Sequence, residues 1–124
     1  MKLDHVVLLV SDLNAGLRHY EAFLPLLGFQ KTAGSTHVWR NEEGALIEVR
    51  AAQEPESKYR RLGVGMNHFG VRAESRAEVD RIVASMREAG FDVPAPRTID
   101  EAYVVFVPDP DGIRIEVGYE PLNQ

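Results

Sequence analysis

Hydrophobic positions along this chain fall into two successive blocks with the same internal order. The first opens with Leu3-Asp4-His5-Val6-Val7-Leu8-Leu9-Val10, whose branched and apolar content predicts a strand. Ser11 or Asp12 then stands where a helix N-cap belongs, and Leu13, Leu17, Tyr20 and Leu24 follow as a stripe near the helical period. Pro25 predicts an irregular last turn, and Gly28-Phe29 closes the element. The second block opens with Met66-Asn67-His68-Phe69-Gly70-Val71-Arg72. There Ser75 and Glu78 have the spacing of a capping box, and Val79, Ile82, Val83 and Met86 make the stripe. Gly90-Phe91 ends it.

Three further strands fit in each block. Turns are predicted at Asn41-Glu42-Glu43-Gly44 and at Asp109-Pro110-Asp111-Gly112. Each leads into a strand of the form Gly-x-x-Ile-Glu-Val, first at Gly44-Ala45-Leu46-Ile47-Glu48-Val49 and again at Gly112-Ile113-Arg114-Ile115-Glu116-Val117. Chance recurrence of turn glycines and strand valines explains that motif alone. It explains His, Gly-Phe and Gly-x-x-Ile-Glu-Val in one order much less well, so the chain reads as an internal duplication. The expected organisation is one domain over residues 1–124, with a first repeat of about 1–52, a polar linker of about 53–64 and a second repeat of about 65–120.

Strand side chains alternate between faces. Val6, Leu8 and Val10 are expected to face the helices, with His5, Val7 and Leu9 opposite. By the same rule Glu48 shares the non-helical face with Leu46 and Arg50, His68 with Gly70 and Arg72, and Glu116 with Arg114 and Gly118. Each repeat therefore offers one His and one Glu on its non-helical face. A lone strand glutamate is ordinarily solvated, and only the repetition of both residue types raises His5, Glu48, His68 and Glu116 to candidate metal ligands. Such an N₂O₂ set leaves coordination positions open for substrate. His19 is expected at the helix surface or edge, and His37 is not assigned a role.

Composition narrows the chemistry. The absence of cysteine excludes disulfides, a catalytic thiol and thiolate metal sites. A metal held by His and Glu is then Zn, Ni, Co, Mn or Fe rather than Cu(I). The net charge of −5 argues against nucleic-acid binding, which needs a basic footprint. No apolar run is long enough for a membrane span, so a soluble cytoplasmic protein is expected.

The pattern Asp4-His5-Val6, Ser11-Asp12-Leu13, Tyr20, Gly28-Phe29, His68 and Asp109-Pro110-Asp111-Gly112-x-x-Ile-Glu-Val resembles the vicinal-oxygen-chelate superfamily, the glyoxalase/bleomycin-resistance/dioxygenase group. The resemblance covers essentially the whole chain. It implies an α+β fold of two βαβββ modules, with a curled mixed sheet around a cavity and helices on the outer face. It also implies one divalent metal ion per site, with ligands at His5, His68 and Glu116 and a fourth at Glu48. Glutamate at that fourth position is the glyoxalase I-like arrangement, whereas the ring-cleaving dioxygenases use two His and one carboxylate. No segment resembling a glutathione-specific one is present.

The expected activity is thus that of a glyoxalase-like lyase or isomerase, in which the metal chelates vicinal oxygens of a small substrate. Glu116 or Glu48 would be the catalytic base. Arg50, Arg72 and Arg114 fall on the inferred cavity face and are candidate contacts for an anionic substrate; taken singly, each is more often a solvated strand-end residue. Tyr59, Arg60 and Arg61 in the linker either form a lid or are simply solvated. One alternative is a non-catalytic, bleomycin-resistance-like binding protein whose pocket is lined by Trp39, Phe69, Tyr103 and Phe106, although such aromatics more often fill a core. Another is an Fe(II) dioxygenase. A homodimer is expected, with each site closed within one chain or between two.

Overall fold

A computed structural model describes residues 1–121. The chain separates into two units at Lys58 and Tyr59, and the elements of each follow the same order. In the first, β1 (His5–Val10) leads to α1 (Leu13–Phe23), then to β2 (Gln30–Lys31), β3 (Val38–Arg40) and β4 (Leu46–Ala51). In the second, β5 (His68–Arg72) leads to α2 (Arg76–Glu88), then to β6 (Arg97–Ile99), β7 (Ala102–Pro108) and β8 (Arg114–Tyr119). The four strands of each unit make one open mixed sheet, ordered β1-β4-β3-β2 and β5-β8-β7-β6. The first and last strands pair in parallel and the remaining pairs are antiparallel. This is the expected α+β fold of two βαβββ modules.

The repeated motifs have local physical reasons. Each Gly-Phe pair ends its helical segment. Gly28 and Gly90 take left-handed backbone angles, φ 88° and 96°, and the following Phe29 and Phe91 donate their N–H groups back to Leu24 and Met86. Pro25 lies in a 3-10 turn, Leu24–Leu27, as the irregular ending requires. The Asp-Pro-Asp-Gly segment is a side-chain-stapled turn. Buried Asp109 accepts from the N–H groups of Asp111 and Ile113 at 2.8 and 3.0 Å, and Asn41 accepts from Ala45 at 2.9 Å in the matching turn. The most distinctive motif in the sequence therefore aims β8 and has no free carboxylate at Asp109.

Helix capping fits the sequence with one refinement. Asp12, rather than Ser11, caps α1 by accepting from Ala15 N–H. Ser75 caps α2 by accepting from Glu78 N–H, and the Glu78 carboxylate reaches back to the N–H of Glu74, one residue before the cap. The α2 stripe of Val79, Ile82, Val83 and Met86 is buried as expected.

The α1 stripe is different. Its buried residues are Gly16, His19, Tyr20 and Phe23, whereas Leu13 and Leu17 remain half-buried. The cause is Gly16, which lets the helix settle on β1. A Cβ at that position would lie 2.8 Å from the Val10 Cγ2. That approach turns His19 inward, to 3% exposure, edge-on to Tyr20 and tilted against Phe23. The expectation of a surface His19 is therefore corrected. Desolvation by burial lowers its pKa from 6.5 to about 4, so the ring is neutral at pH 7.

Candidate functional site

Parallel pairing of β5 with β8 sets Gly70 beside Glu116 and His68 beside Arg114. His68 and Glu116 then share the non-helical face, one two-residue step apart. Their side chains meet, with Nε2 of His68 3.1 Å from Oε1 of Glu116, and both are about two-thirds buried at 32% and 27% exposure. Two glycines make room for the carboxylate. A Cβ at Gly70 would stand 3.5 Å from Oε1, and one at Gly118 would stand 3.5 Å from Oε2. Phe106, opposite Glu116 on β7, stands edge-on to the His68 ring with centroids 5.0 Å apart.

Asn67 fixes which nitrogen of His68 faces Glu116. Its Nδ2 donates to the Arg61 carbonyl at 3.0 Å, so its Oδ1 is the atom 2.7 Å from His68 Nδ1. Nδ1 must then be the donor. In the neutral ring Nε2 presents a lone pair towards the Glu116 oxygens. Two electron-rich atoms at that separation suit a shared cation, and an acceptor that takes the N–H of the other ring nitrogen, as Asn67 Oδ1 does here, is the usual partner of a metal-binding imidazole.

The first unit repeats this scheme with different neighbours. His5 Nδ1 lies 2.7 Å from Asp4 Oδ2, so the preceding residue again engages the ring. Glu48, however, is gripped by Arg50, whose Nε and Nη2 donate to the two carboxylate oxygens at 2.7 and 3.1 Å. This fork holds the Glu48 pKa below its ordinary value, with smaller help from the neighbouring His37 and His5. His37, given no role from the sequence, is therefore part of the Glu48 environment.

The three candidate substrate arginines differ in their surroundings. Arg50 is occupied by Glu48, and Arg72 lies 3.4 Å from Glu120 on an exposed strand end. Arg114 lies over Phe106 at 4.3 Å and donates to Asn67 Oδ1 at 3.2 Å. Desolvation and the nearby Arg61 and Arg97 lower its pKa. Tyr59 is tied down by donating to the Met66 and Asn67 carbonyls at 2.6 and 3.0 Å. Trp39 is core at 1% exposure. Tyr103 faces α2, donating to Asp80 beneath Arg76. Of the aromatics considered for a pocket, Phe106 is the one shown against His68.

A cleft of about 470 Å³ reaches Glu116 from the β6–β7 hairpin, lined by Ile99, Asp100, Glu101, Val104 and Glu120 among others. Within the units, the structure brings His68 to Glu116 and places His5 in the charge environment of Glu48. Among the described residues, no three His, Asp or Glu side chains are grouped so as to hold a metal. Sequence reasoning gave no site role to Asp4, Asn67, Gly70, Gly118 or Arg97, and offered Arg61 only as a lid residue. The Asp-His and Asn-His dipeptides at the head of the two repeats were the available signal for the first two.

Comparison with known proteins bears on family and fold. Residues 2–117 match the family model described as the Glyoxalase/Bleomycin resistance protein/Dioxygenase superfamily. The uncharacterized protein YqjT of Bacillus subtilis (strain 168) is 34% identical over 125 residues, covering 93% of this chain and 96% of its own. Among solved structures, the glyoxylase/bleomycin resistance protein/dioxygenase domain from Frankia sp. EAN1pec superposes with a TM-score of 0.81 at 18% identity, covering 100% of this chain and 95% of its own. The lactoylglutathione lyase from Agrobacterium tumefaciens superposes with a TM-score of 0.65 at 22% identity, covering 95% and 92%. These two structures share the fold.

Proposed function

Because the chain belongs to the glyoxalase/bleomycin resistance protein/dioxygenase superfamily, we propose that it is a divalent-metal-dependent lyase or isomerase of the glyoxalase type, acting on vicinal oxygens of a small anionic substrate in the cytoplasm. The observation that carries this reading is the His68–Glu116 pair, with Nδ1 of the imidazole engaged by Asn67 and the carboxylate given space by Gly70 and Gly118.

The donor chemistry fits Zn, Ni, Co, Mn or Fe. His68 and Glu116 would hold the ion, and His5 and Glu48 are the matching proposed ligands, Glu48 once Arg50 is displaced from it. Bound there, the metal supplies Lewis-acid polarisation to the substrate oxygens. Glu116 is the preferred base. It is reached from the cleft and is held by no guanidinium fork among the described residues, so it can take a proton from the carbon beside the substrate carbonyl and return it. Asn67 keeps the His68 ring oriented throughout, and Phe106 walls one side.

Elemental analysis and metal calorimetry on the native chain and on His68→Ala test the proposal. One ion per site and a large loss of affinity in the variant are expected; unchanged affinity would sink the site. A second reading, a binding protein without turnover, is favoured by the Arg50–Glu48 fork, which keeps one proposed ligand occupied. It predicts no stoichiometric metal and no turnover of α-ketoaldehydes or hemithioacetals.

We further propose a homodimer. Sites shared between chains would recover about a quarter of full activity when His5→Ala and His68→Ala chains are refolded as a mixture, since random pairing repairs that fraction. Sites closed within a chain would recover none.

A further inference from the structure

Two arginines meet over Phe106 on the sheet face that carries His68 and Glu116, and a third is near enough for its charge to be felt. Arg97 pairs with Val104 across β6 and β7, which puts its side chain on the Phe106 side of the sheet, and its guanidinium lies 5.7 Å from that ring. Arg114 lies 4.3 Å from the same ring, reaching it from β8. Arg61 is close enough for its charge to act on Arg114 together with that of Arg97.

Such a cluster is costly by itself. The protein has a net charge of −5, and both Arg50 and Arg72 have a glutamate partner. None of Arg61, Arg97 and Arg114 is in a salt bridge among the described residues. The Nε of Arg114 is buried and lacks a hydrogen-bond partner, and an unmet buried donor on a charged group is destabilising. A guanidinium over an aromatic face still offers its in-plane N–H groups at the edges. The opposite end of the face is acidic, with Asp100, Glu101 and Glu120 around the cleft. The face is therefore polarised, with Glu116 between its two ends.

The geometry points to an oxyanion subsite formed by Arg97 and Arg114 at Phe106, with Arg61 adding its charge, which takes the carboxylate or phosphate group of the substrate. A bound oxyanion relieves the repulsion among the cations and can be met by the edge N–H groups of the Arg97 and Arg114 guanidinium groups. Since Phe106 touches His68, the anionic group sits next to the reacting end of the same molecule, and the acidic cleft disfavours the reversed orientation. The subsite rests on the reading of the His68–Glu116 face as the substrate site, and it revises which arginines serve it. Arg114 stays, Arg61 and Arg97 join it, and Arg50 and Arg72 are spent on glutamates.

The test is calorimetry of the full chain with inorganic phosphate and with benzoate, using benzamide as the neutral control, and with the variants Arg97→Met and Arg114→Met. The two anions are expected to bind, more weakly as salt rises, and benzamide is not. Each substitution should weaken the preferred anion by about tenfold, the value of one charge-assisted hydrogen bond. Tighter phosphate assigns a phosphate-bearing substrate, and tighter benzoate a carboxylate. Arg97→Met, on an exposed strand, keeps the test decisive if Arg114→Met folds poorly. Failure of both anions to bind, equal binding of benzamide, or native affinity in Arg97→Met overturns the subsite. Zinc titration of the same samples separates the two proposals. Zinc bound without anions removes the subsite alone, and anions bound without zinc remove the metal reading alone.

Discussion

The two units use one backbone scheme and surround it differently. His5 corresponds to His68, Glu48 to Glu116, and Asp4 to Asn67. The neighbours diverge. Beside Glu116 stand Gly70 and Gly118, while the matching positions beside Glu48 are Val7 and Arg50. Opposite Glu116 is Phe106, and opposite Glu48 is Val38. One carboxylate is left facing an imidazole and the other is closed by a guanidinium fork. The two halves thus keep the same His and Glu and still differ through the side chains that surround them.

The helices diverge in the same way. Counted from their N-caps, Gly16, His19, Tyr20 and Phe23 of α1 correspond to Val79, Ile82, Val83 and Met86 of α2. The first unit spends helix bulk on close approach at Gly16 and carries a buried histidine where the second has isoleucine.

The largest expected effect tests that helix contrast. His19 is neutral in the fold and titrates at about 4, against 6.5 in the unfolded chain. The unfolded chain takes up the proton first, so stability present above pH 6.5 is lost as pH falls and levels off below about 4. Over that window the loss is about 3 kcal/mol. Denaturant unfolding at pH 7 and pH 4.5 should show most of it, and His19→Leu should flatten the difference; an unchanged pH slope would refute the assignment. Next, Gly118→Arg copies Arg50 into the second unit. With its carboxylate gripped, the protein should lose metal affinity by at least about tenfold, while Gly118→Ala, the steric control, should lose less. Equal losses would mean that bulk against Val104, not the charge, is responsible.

Asn67→Ala frees the His68 ring and should lower metal affinity by about tenfold, with Asp4→Ala doing the same for His5. If only one variant responds, the two halves do not share one metal. The smallest effect is expected from Arg50→Met. Glu48 should then titrate higher, nearer the ordinary carboxylate range, because the fork that lowers it is gone. Metal affinity should rise only modestly, since an exposed ion pair is weak to begin with. A fall in affinity would instead make Arg50 a part of the working site.

Much of this protein was written in one dimension. The alternation in β1, β4, β5 and β8 decided which side chains share a face, because strand periodicity is strict. Gly28-Phe29, Gly90-Phe91, Ser75-Glu78 and Asp109-Pro110-Asp111-Gly112 fixed element ends through local hydrogen bonds that need no distant partner. What the tertiary structure decided was neighbourhood across strands and layers. Whether Glu48 meets Arg50 or a ligand, whether His19 faces solvent or Val10's helix-facing layer, and which arginines gather at Phe106 depend on register, on the depth at which Gly16 lets α1 settle, and on side chains brought together from separate strands. Periodicity assigns a residue to a face; only packing chooses the partner it meets there.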